Sequence, residues 1–300
     1  MVSQRLEGQG IGMNLTRPSK LRSFLVLGRI SNLPTVWSNC LAGWWLAGGG
    51  PVMGLLCVSI CVSFLYVGGM FLNDAFDAGF DRNHRRTRPI PSGVVTEKEV
   101  WGWGFAWMAL GLAGMAGMGM GTAVLGLLLA ACILFYNAIH KIMVLAPVLM
   151  GGCRFLVYLA AASIGVNGVT GECIWKGLAL GSYIAALSSL ARKESMPARV
   201  QYWPCIFLAV PLVMAGLADE GPDQRAATLC SVFLILWVVW TLFQIWGREH
   251  PNMGLAVSRL LAGIVLVDWL AVADWSHPGA ALFPVWFLLA LLLQRFVPAT

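Results

Sequence analysis

The sequence predicts an all-α protein, a polytopic transmembrane bundle of nine to ten helices. Of its 300 residues, 58% are hydrophobic and only 11% are charged, whereas soluble domains carry about 25% charged residues. Apolar runs of about the 20 residues that a helix needs to cross a bilayer recur along most of the chain. Because the backbone must satisfy its own hydrogen bonds inside a bilayer, these runs indicate helices.

The apolar segments are separated by glycine and proline clusters, such as the one from Gly48 to Pro51. Arg259 and Asp268 interrupt the ninth segment, which leaves the number of helices at nine or ten. We therefore expect an N-terminal tail at 1–20 and a single membrane domain at 21–300. In chain order, the segments lie at 24–48, 52–72, 100–117, 119–138, 144–166, 173–190, 201–218, 226–246, 253–274 and 279–297.

Lysine and arginine are concentrated in the N-terminal tail and in alternate loops, of which the loop after the second segment is the richest. The positive-inside rule places these loops and the N-terminus in the cytoplasm, which predicts a multi-pass protein of an inner or plasma membrane. The same bias accounts for the net charge of +6. Anionic membrane lipids are sufficient partners for this charge, so no nucleic-acid function is predicted. The sequence leaves the oligomeric state open.

Polar residues follow the second apolar segment at helical spacing. Asn73, Asp74, Asp77 and Asp81 fall on one face of a helix at about 100° per residue. Carboxylates packed at these spacings repel one another, so a cation is expected to offset the cost. Carboxylate and amide oxygens suit Mg²⁺, which binds one or two protein carboxylates together with phosphate oxygens.

Arginines follow the aspartates directly, namely Arg82, Arg85, Arg86 and Arg88. Their forked N–H groups match phosphate oxygens, so acids beside arginines indicate a phosphate that a metal bridges to the protein. The alternative is a solvated loop whose charges only set the topology. That alternative explains the arginines, but acidic residues contribute little to topology. Thr96 and Glu99 then predict a capping box at the start of the third segment.

The stretch NDAFDAGFDRNHRRTRPIPSG, residues 73–93, resembles the first aspartate-rich motif of the UbiA superfamily of intramembrane prenyltransferases. The family pattern is N-D-x-x-D-x-x-x-D followed by a basic R-P-[IL]-[PA]-[SA]-G turn, and every position is met. GRISNLPTVWSN at 28–39 resembles the start of the family's first helix, and FYNAIHK at 135–141 resembles its tyrosine and lysine stretch after the fourth helix. The resemblance covers residues 20–297.

The resemblance implies a bundle of about nine helices that binds an isoprenoid diphosphate with Mg²⁺ as cofactor. A small electron-rich acceptor, commonly an aromatic ring carbon, would then attack the allylic cation. The family motif implies metal binding and catalysis by Asp74, Asp77 and Asp81, with help from Asn73.

Arg88 and Lys141 match basic positions of the family that would contact the diphosphate, whereas Arg85 and Arg86 are candidate auxiliaries without a counterpart in the family. The resemblance places Tyr136 near the cytoplasmic mouth of the pocket, and the alternative is a tyrosine of the interfacial belt.

The family's second aspartate motif is missing from its expected place after the sixth segment, where this chain has SSLARKESMPAR. In one interpretation, Arg192 and Lys193 contact the diphosphate in place of a second metal and Glu194 remains a ligand or ion-pair partner. In the other, the protein is a catalytically silent isoprenoid-binding scaffold. The A-R-K-E ending resembles the EboC-like branch of the family.

Further polar residues lie inside apolar segments, where ionisable groups are costly and therefore candidates for function. Arg29 and Asn32 lie near the cytoplasmic end of the first segment and are predicted to face the pocket. Arg154 is predicted to point inward and to contact the diphosphate or an acidic acceptor, or else to pair structurally. A cation-coupled transporter is a further alternative, but transporter ion sites lie at the bilayer midplane rather than at a helix end.

Overall fold

The computed structural model describes residues 19–194, 203–218, 224–246 and 252–299, without the side chains of residues 193, 194 and 218. The predicted tail at 1–20 therefore lies almost wholly outside the described residues. Within the described ranges every regular element is helical, which confirms the predicted all-α class.

Eleven α-helices are present in the described ranges, and three short 3₁₀ helices lie between some of them. The 3₁₀ helices are Ile30–Asn32, Trp203–Ala209 and Pro278–Ala281. The α-helices are α1 Lys20–Leu27, α2 Leu33–Leu46, α3 Val52–His84, α4 Glu97–Ala116, α5 Met120–Ile139, α6 Ala146–Ala162, α7 Gly171–Glu194, α8 Val210–Ala218, α9 Gln224–Phe243, α10 Met253–Val272 and α11 Leu282–Leu293.

Several predicted segments are divided in the structure. The segment at 24–48 is broken after α1, because Arg29 adopts a left-handed backbone conformation with φ of 43° before the 3₁₀ turn. Pro34 then lies in the first turn of α2, where it lacks only an N–H that would have no helical partner. The predicted segments at 201–218 and 279–297 likewise each begin with a 3₁₀ turn before the α-helix. Apolar composition did not reveal these breaks.

Helix α3 runs without interruption from the second apolar segment through the aspartates. Its 33 residues extend about 50 Å, well beyond a hydrocarbon core of about 30 Å. The acidic residues in its last turns can therefore lie beyond the hydrocarbon while the same helix spans it.

The capping box predicted at the start of α4 is confirmed. Glu99 N donates to Thr96 Oγ1 at 3.2 Å, and Thr96 N donates to Glu99 Oε2 at 2.9 Å. This reciprocal pair satisfies two backbone donors that would otherwise lack a partner at the helix start.

By length and composition, five helices in the described ranges could cross a membrane. They are Val52–His84, Met120–Ile139, Gly171–Arg192, Gln224–Phe243 and Met253–Val272. Shorter apolar helices accompany them at Ala146–Ala162, Trp203–Leu217 and Pro278–Leu293. These lengths support an integral membrane protein.

Close helix packing depends on glycines at two helix pairs. A Cβ on Gly151 of α6 would stand 2.3 Å from the carbonyl oxygen of Gly181 on α7, and a Cβ on Gly68 of α3 would stand 2.8 Å from Gly104 O on α4. Small residues at these crossings let the backbones touch, as is typical of helices packed within membranes. Helices α2, α3, α5, α6, α7 and α10 thereby enclose one cavity.

The two polar residues that interrupted the ninth predicted segment both have partners inside the bundle. Asp268 is fully buried in α10, and its carboxylate accepts hydrogen bonds from Asn39 Nδ2 at 2.7 Å, from Tyr158 Oη at 2.6 Å and from Ser38 Oγ. Arg259 donates to Gln244 and lies over the ring of Trp240. Helix α10 is thus continuous despite its charges, because neighbouring helices satisfy them.

Candidate active site

The cavity enclosed by the bundle has a volume of about 770 Å³, within the range of sites that bind small molecules and cofactors. Its mouth is formed where α3 ends and where α5 meets α6. Nearly all of the residues predicted for the site and described by the structure line this cavity, which brings them together from four α-helices and the connections beside them. They are Arg29, Asn32, Asn73, Asp77, Asp81, Arg85, Arg88, Tyr136, Lys141, Arg154 and Arg192.

Asp77 is held at the mouth by basic groups from the end of α5. Its Oδ1 lies 2.6 Å from Lys141 Nζ and 3.4 Å from His140 Nε2. Lys141 also lies over the ring of Phe80, one turn further along α3. The residues that follow α5 therefore supply a lysine and an imidazole beside the aspartate face.

Asp74 and Asp81 both lie close to Arg88. Arg88 is in the loop after α3, and this loop folds back so that the arginine reaches both carboxylates. Arg88 Nη1 donates to Asp74 Oδ1 at 2.8 Å and lies 3.6 Å from Asp81 Oδ2. Arg29 Nη2, from the break between α1 and α2, lies 3.9 Å from Asp74 Oδ1. Asp74 is buried and, unlike the other two aspartates, is not part of the cavity lining.

Asp81 Oδ1 at the mouth has neither a hydrogen-bond partner nor a close cation among the described residues, whereas Asp77 Oδ1 has Lys141. Asp81 is only 2% exposed, and its Oδ1 contacts neither a donor nor solvent within the part of the chain that the structure describes. A buried carboxylate oxygen without a donor is costly. It is the kind of group that a bound cation would satisfy.

The described residues contain no group of three or more His, Cys, Asp or Glu placed to hold one metal ion together. The predicted trio of aspartates is therefore not a preformed all-protein metal cage. This agrees with the chemistry of Mg²⁺, which takes one or two carboxylates and completes its shell with water or phosphate oxygens.

Asn73 is fixed by a residue that the sequence analysis did not single out. Asn73 Nδ2 donates to Asn137 Oδ1 at 3.1 Å, and Asn137 Nδ2 donates to Gly69 O at 2.9 Å. Both Asn137 and His140 line the cavity, and the ring of Tyr136 stacks on that of His140 with centroids 5.3 Å apart. Asn137 and His140 lie three residues apart, and Asn137 and Lys141 four, so helical spacing to Lys141 is the signal that would have identified them.

Arg192 closes the mouth from α7. Its Nη1 donates to Met143 O at 2.6 Å and its Nη2 lies 3.4 Å from Lys141 O, so α7 is tied to the α5–α6 connection. Lys193 and Glu194 end helix α7, but their side chains lie outside the described residues. The hydrogen bonds of Arg192 therefore hold this end of α7, which carries the sequence ARKE, at the cavity mouth.

Two predicted residues lie elsewhere on the cavity wall. Asn32 Nδ2 donates to Ala299 O at 3.1 Å, which brings the last described residue against the wall. Arg154 lies deeper, where its Nη1 donates to Asn39 Oδ1 at 2.7 Å and its Nη2 to Thr35 Oγ1 at 3.1 Å. Arg154 is therefore separate from the cluster at the mouth.

Between the mouth and Arg154 the wall is largely apolar, with contributions from Met70, Ile133, Met150, Leu129 and Leu187. A chamber of this kind suits a hydrocarbon chain, and it keeps water away from charges that develop inside. The cavity thus joins a charged mouth to an apolar interior.

Curated proteins with similar sequences are prenyl-transferring enzymes by name. The chain is 26% identical to protoheme IX farnesyltransferase of Brucella ovis over 274 residues, which cover 80% of this chain and 84% of that protein. It is 33% identical over 93 residues to digeranylgeranylglyceryl phosphate synthase of Methanoregula boonei, covering 31% of this chain and 33% of that protein. A match to 4-hydroxybenzoate octaprenyltransferase of Cupriavidus necator is 33% identical over 130 residues and covers 42% of this chain and 39% of that protein. The latter two matches thus span well under half of the relatives.

Solved structures share the fold. A UbiA homolog from Aeropyrum pernix K1 superposes with a TM-score of 0.64 at 17% identity, covering 81% of this chain and 96% of that one. A UbiA homolog from Archaeoglobus fulgidus, solved with DMAPP and Mg²⁺, gives a TM-score of 0.60 at 15% identity and covers 83% and 99% of the two chains. Residues 36–297 match the model of the UbiA prenyltransferase family, and the chain belongs to that family.

Proposed function

We propose that this protein transfers a prenyl group from an isoprenoid diphosphate to a small electron-rich acceptor inside the membrane, with Mg²⁺ as cofactor. The observation that carries the proposal is the cavity itself, in which buried aspartates and several cations surround the mouth of an apolar chamber. A diphosphate suits such a mouth, and a prenyl chain suits such an interior. The family of the chain and the names of its relatives support the same chemistry.

The residues at the mouth fit a metal-bridged diphosphate. Asp77 and Asp81 line the cavity, and the unpartnered Oδ1 of Asp81 offers a ligand that the described residues leave unused. When bound, Mg²⁺ would supply positive charge that stabilises the departing diphosphate. We propose Asp77 and Asp81 as its ligands, with Asn73 beside them. For Asp74 the metal role stays a prediction, since Arg88 occupies its carboxylate.

The cations of the mouth would bind the diphosphate oxygens. Arg88 and Lys141 line the cavity and pair with Asp74 and Asp77, and we propose that both turn part of their hydrogen bonding toward the diphosphate as it binds. Arg192, with Lys193 and Glu194 following it, takes the place of the missing second motif. Negative charge grows on the diphosphate as the allylic bond breaks, so fixed cations at this point lower the barrier.

The apolar wall would protect the allylic cation. Side chains such as Leu129, Ile133 and Leu187 line the chamber and offer no nucleophile, so an electron-rich acceptor held beside the cation is the intended attacking group. Exclusion of water prevents simple hydrolysis of the donor. Tyr136 and Arg85, also on the wall, are proposed to position the donor.

We further propose that the N-terminus and the mouth of the cavity face the cytoplasm of an inner or plasma membrane. The proposal rests on the positive-inside rule and on the arginines of the α3–α4 loop. The membrane domain would extend from residue 21 to residue 300, after a short tail.

The test is diphosphate release from farnesyl and geranylgeranyl diphosphates by the purified protein, with and without Mg²⁺ and in the presence of a mixture of phenolic acceptors. We expect Mg²⁺-dependent release that falls at least about 100-fold in Asp77→Asn. Asp274→Asn is the matched control, because Asp274 caps Ser276 outside the cavity. Arg192→Ala should reduce release if the basic stretch replaces the second motif.

Two results would contradict the proposal. Tight Mg²⁺-dependent binding without release would favour the silent scaffold, and release that is equal in Asp77→Asn and in the wild type would remove the aspartates from the chemistry.

A further inference from the structure

Arg154 is a buried cation on the cavity wall that the donor site does not use. It lies in the middle of α6, is 8% exposed, and lines the cavity. Its guanidinium also lies 5.6 Å from the ring centroid of Tyr66, another wall residue. A cation buried in this way needs a compensating partner.

The nearest acidic residue does not provide a direct partner. Asp268 is linked to Arg154 through Asn39, which accepts from Arg154 Nη1 and donates to Asp268 Oδ2. The carboxylate of Asp268 accepts hydrogen bonds from Asn39, Ser38 and Tyr158, and Asp268 is not part of the cavity lining. Within the described ranges, Arg154 therefore makes its two hydrogen bonds to neutral oxygens, although a guanidinium has five N–H groups.

The contact with Tyr66 shows how deep in the cavity Arg154 lies. Tyr66 precedes Asp77 by eleven residues on the continuous helix α3, which corresponds to about 16 Å along the axis. Between these two levels the wall carries apolar side chains such as Met70 and Ile133. The cavity thus has two charged ends separated by an apolar middle.

We propose that Arg154 binds an anionic oxygen group of the acceptor, a carboxylate or a phosphate, and so selects acidic acceptors. This inference rests on the function proposed above and names the acceptor class for the same cavity. A hydrocarbon tail would leave the guanidinium without a partner, whereas an acidic group would accept two parallel N–H bonds from its fork. The spacing leaves room for a diphosphate at the mouth and a molecule about one aromatic ring in size at the Arg154 end.

Asn39 acts as a positioning residue in this arrangement. It fixes the guanidinium through Nη1 and is itself held by Asp268. The acidic residue therefore orients Arg154 without neutralising it by direct contact. The same network leaves the remaining N–H groups of Arg154 available for a ligand.

The experiment measures equilibrium binding of benzoate, benzamide and phenyl phosphate to the full-length protein in detergent. The mouth is first saturated with Mg²⁺ and a thiolo analogue of farnesyl diphosphate that does not ionise, so that phosphate probes cannot occupy it. We expect at least one acidic probe to bind roughly 10-fold to 100-fold more tightly than benzamide. Comparison of benzoate with phenyl phosphate identifies which acid the site takes.

Arg154→Gln should abolish the preference for the acidic probes, and Arg154→Lys should retain part of it because the charge remains without the fork. Both variants should bind the donor analogue within about twofold of the wild type, which shows that the fold is intact. If Arg154→Gln does not fold, the wild-type comparison and Arg154→Lys still decide the question.

Equal binding of acids and benzamide by wild-type protein that binds the donor analogue would overturn the inference and leave the proposed function standing. A preference that persists unchanged in Arg154→Gln would also overturn it. Failure of the wild type to bind the donor analogue with Mg²⁺ would count against the proposed function instead, whatever the probes show.

Discussion

The carboxylates of the three aspartates of α3 have different hydrogen-bond and ion-pair partners. Asp74 accepts a hydrogen bond from Arg88 at 2.8 Å, and Asp77 lies 2.6 Å from Lys141 Nζ. Asp81 Oδ1 has no donor among the described residues. The same residue type at helical spacing therefore has different consequences for stability, because each neighbouring element supplies a different partner.

For this reason Asp81→Asn and Asp74→Asn should have opposite signatures in thermal unfolding. In the metal-free protein, Asp81→Asn is not expected to lower the melting temperature, since it removes a buried negative charge with an unpartnered oxygen. The stabilisation that Mg²⁺ and a prenyl diphosphate give to the wild type should be largely lost.

Asp74→Asn should instead destabilise the metal-free protein by about 1–3 kcal/mol, because Arg88 loses a charged acceptor. The measurement is the melting temperature of both variants in detergent, with and without Mg²⁺ and farnesyl diphosphate. A lower melting temperature for metal-free Asp81→Asn than for Asp74→Asn would contradict this account.

At the scale of elements, the cavity depends on close contact between α6 and α7. The Cβ that Gly151→Ala introduces would stand 2.3 Å from the carbonyl oxygen of Gly181, so one backbone must move. Helix α6 carries Arg154 and α7 carries Arg192. A shift of α6 would therefore displace Arg154, and a shift of α7 would displace Arg192.

We predict that Gly151→Ala destabilises the protein by about 1–3 kcal/mol through this backbone clash. Gly102→Ala is the matched control. A Cβ at Gly102 of α4 meets nothing within 4 Å, so alanine there should be neutral or stabilise the helix by up to about 1 kcal/mol. Thermal unfolding of both variants in detergent is the measurement, and equal melting temperatures would show that α6 and α7 are not tightly packed.

At the scale of the whole molecule, each end of α3 has an exposed position that can be labelled to test the orientation of the bundle. Asn83 is exposed in the last turn of α3, beside the mouth. At the other end of α3, the loop after α6 bonds to the loop that precedes Val52, with Val166 N donating to Gly49 O at 2.8 Å. Val169, in that loop, is exposed. Positions 83 and 169 therefore lie near opposite ends of α3, and we expect them to report on opposite faces of the membrane.

Single cysteines at these positions should react with a membrane-impermeant maleimide from opposite sides. In a background in which the exposed Cys57 is replaced by serine, we expect Asn83→Cys to react only when the cytoplasmic face is open and Val169→Cys to react in intact cells. The reverse pattern would invert the orientation that the basic loops predict.

Local rules of the chain were sufficient to predict the helical class, most of the apolar segments, the capping box of Thr96 and Glu99, and the face of acidic residues on α3 that basic residues follow. These features depend on composition and on spacings within one or two helical turns, which the sequence displays directly. The motif at residues 73–93 is of the same kind, since its aspartates lie along a single helix.

Only the tertiary structure decided which groups meet across the bundle. The break at Arg29, the return of Arg88 to Asp74, and the network that links Arg154 to Asp268 join residues from different elements. The periodicity of the sequence does not predict such contacts. They depend on how whole helices cross and on which buried polar groups need a hydrogen-bond partner. That requirement of satisfied polar groups in an apolar interior, rather than local propensity, gave the cavity its two charged ends.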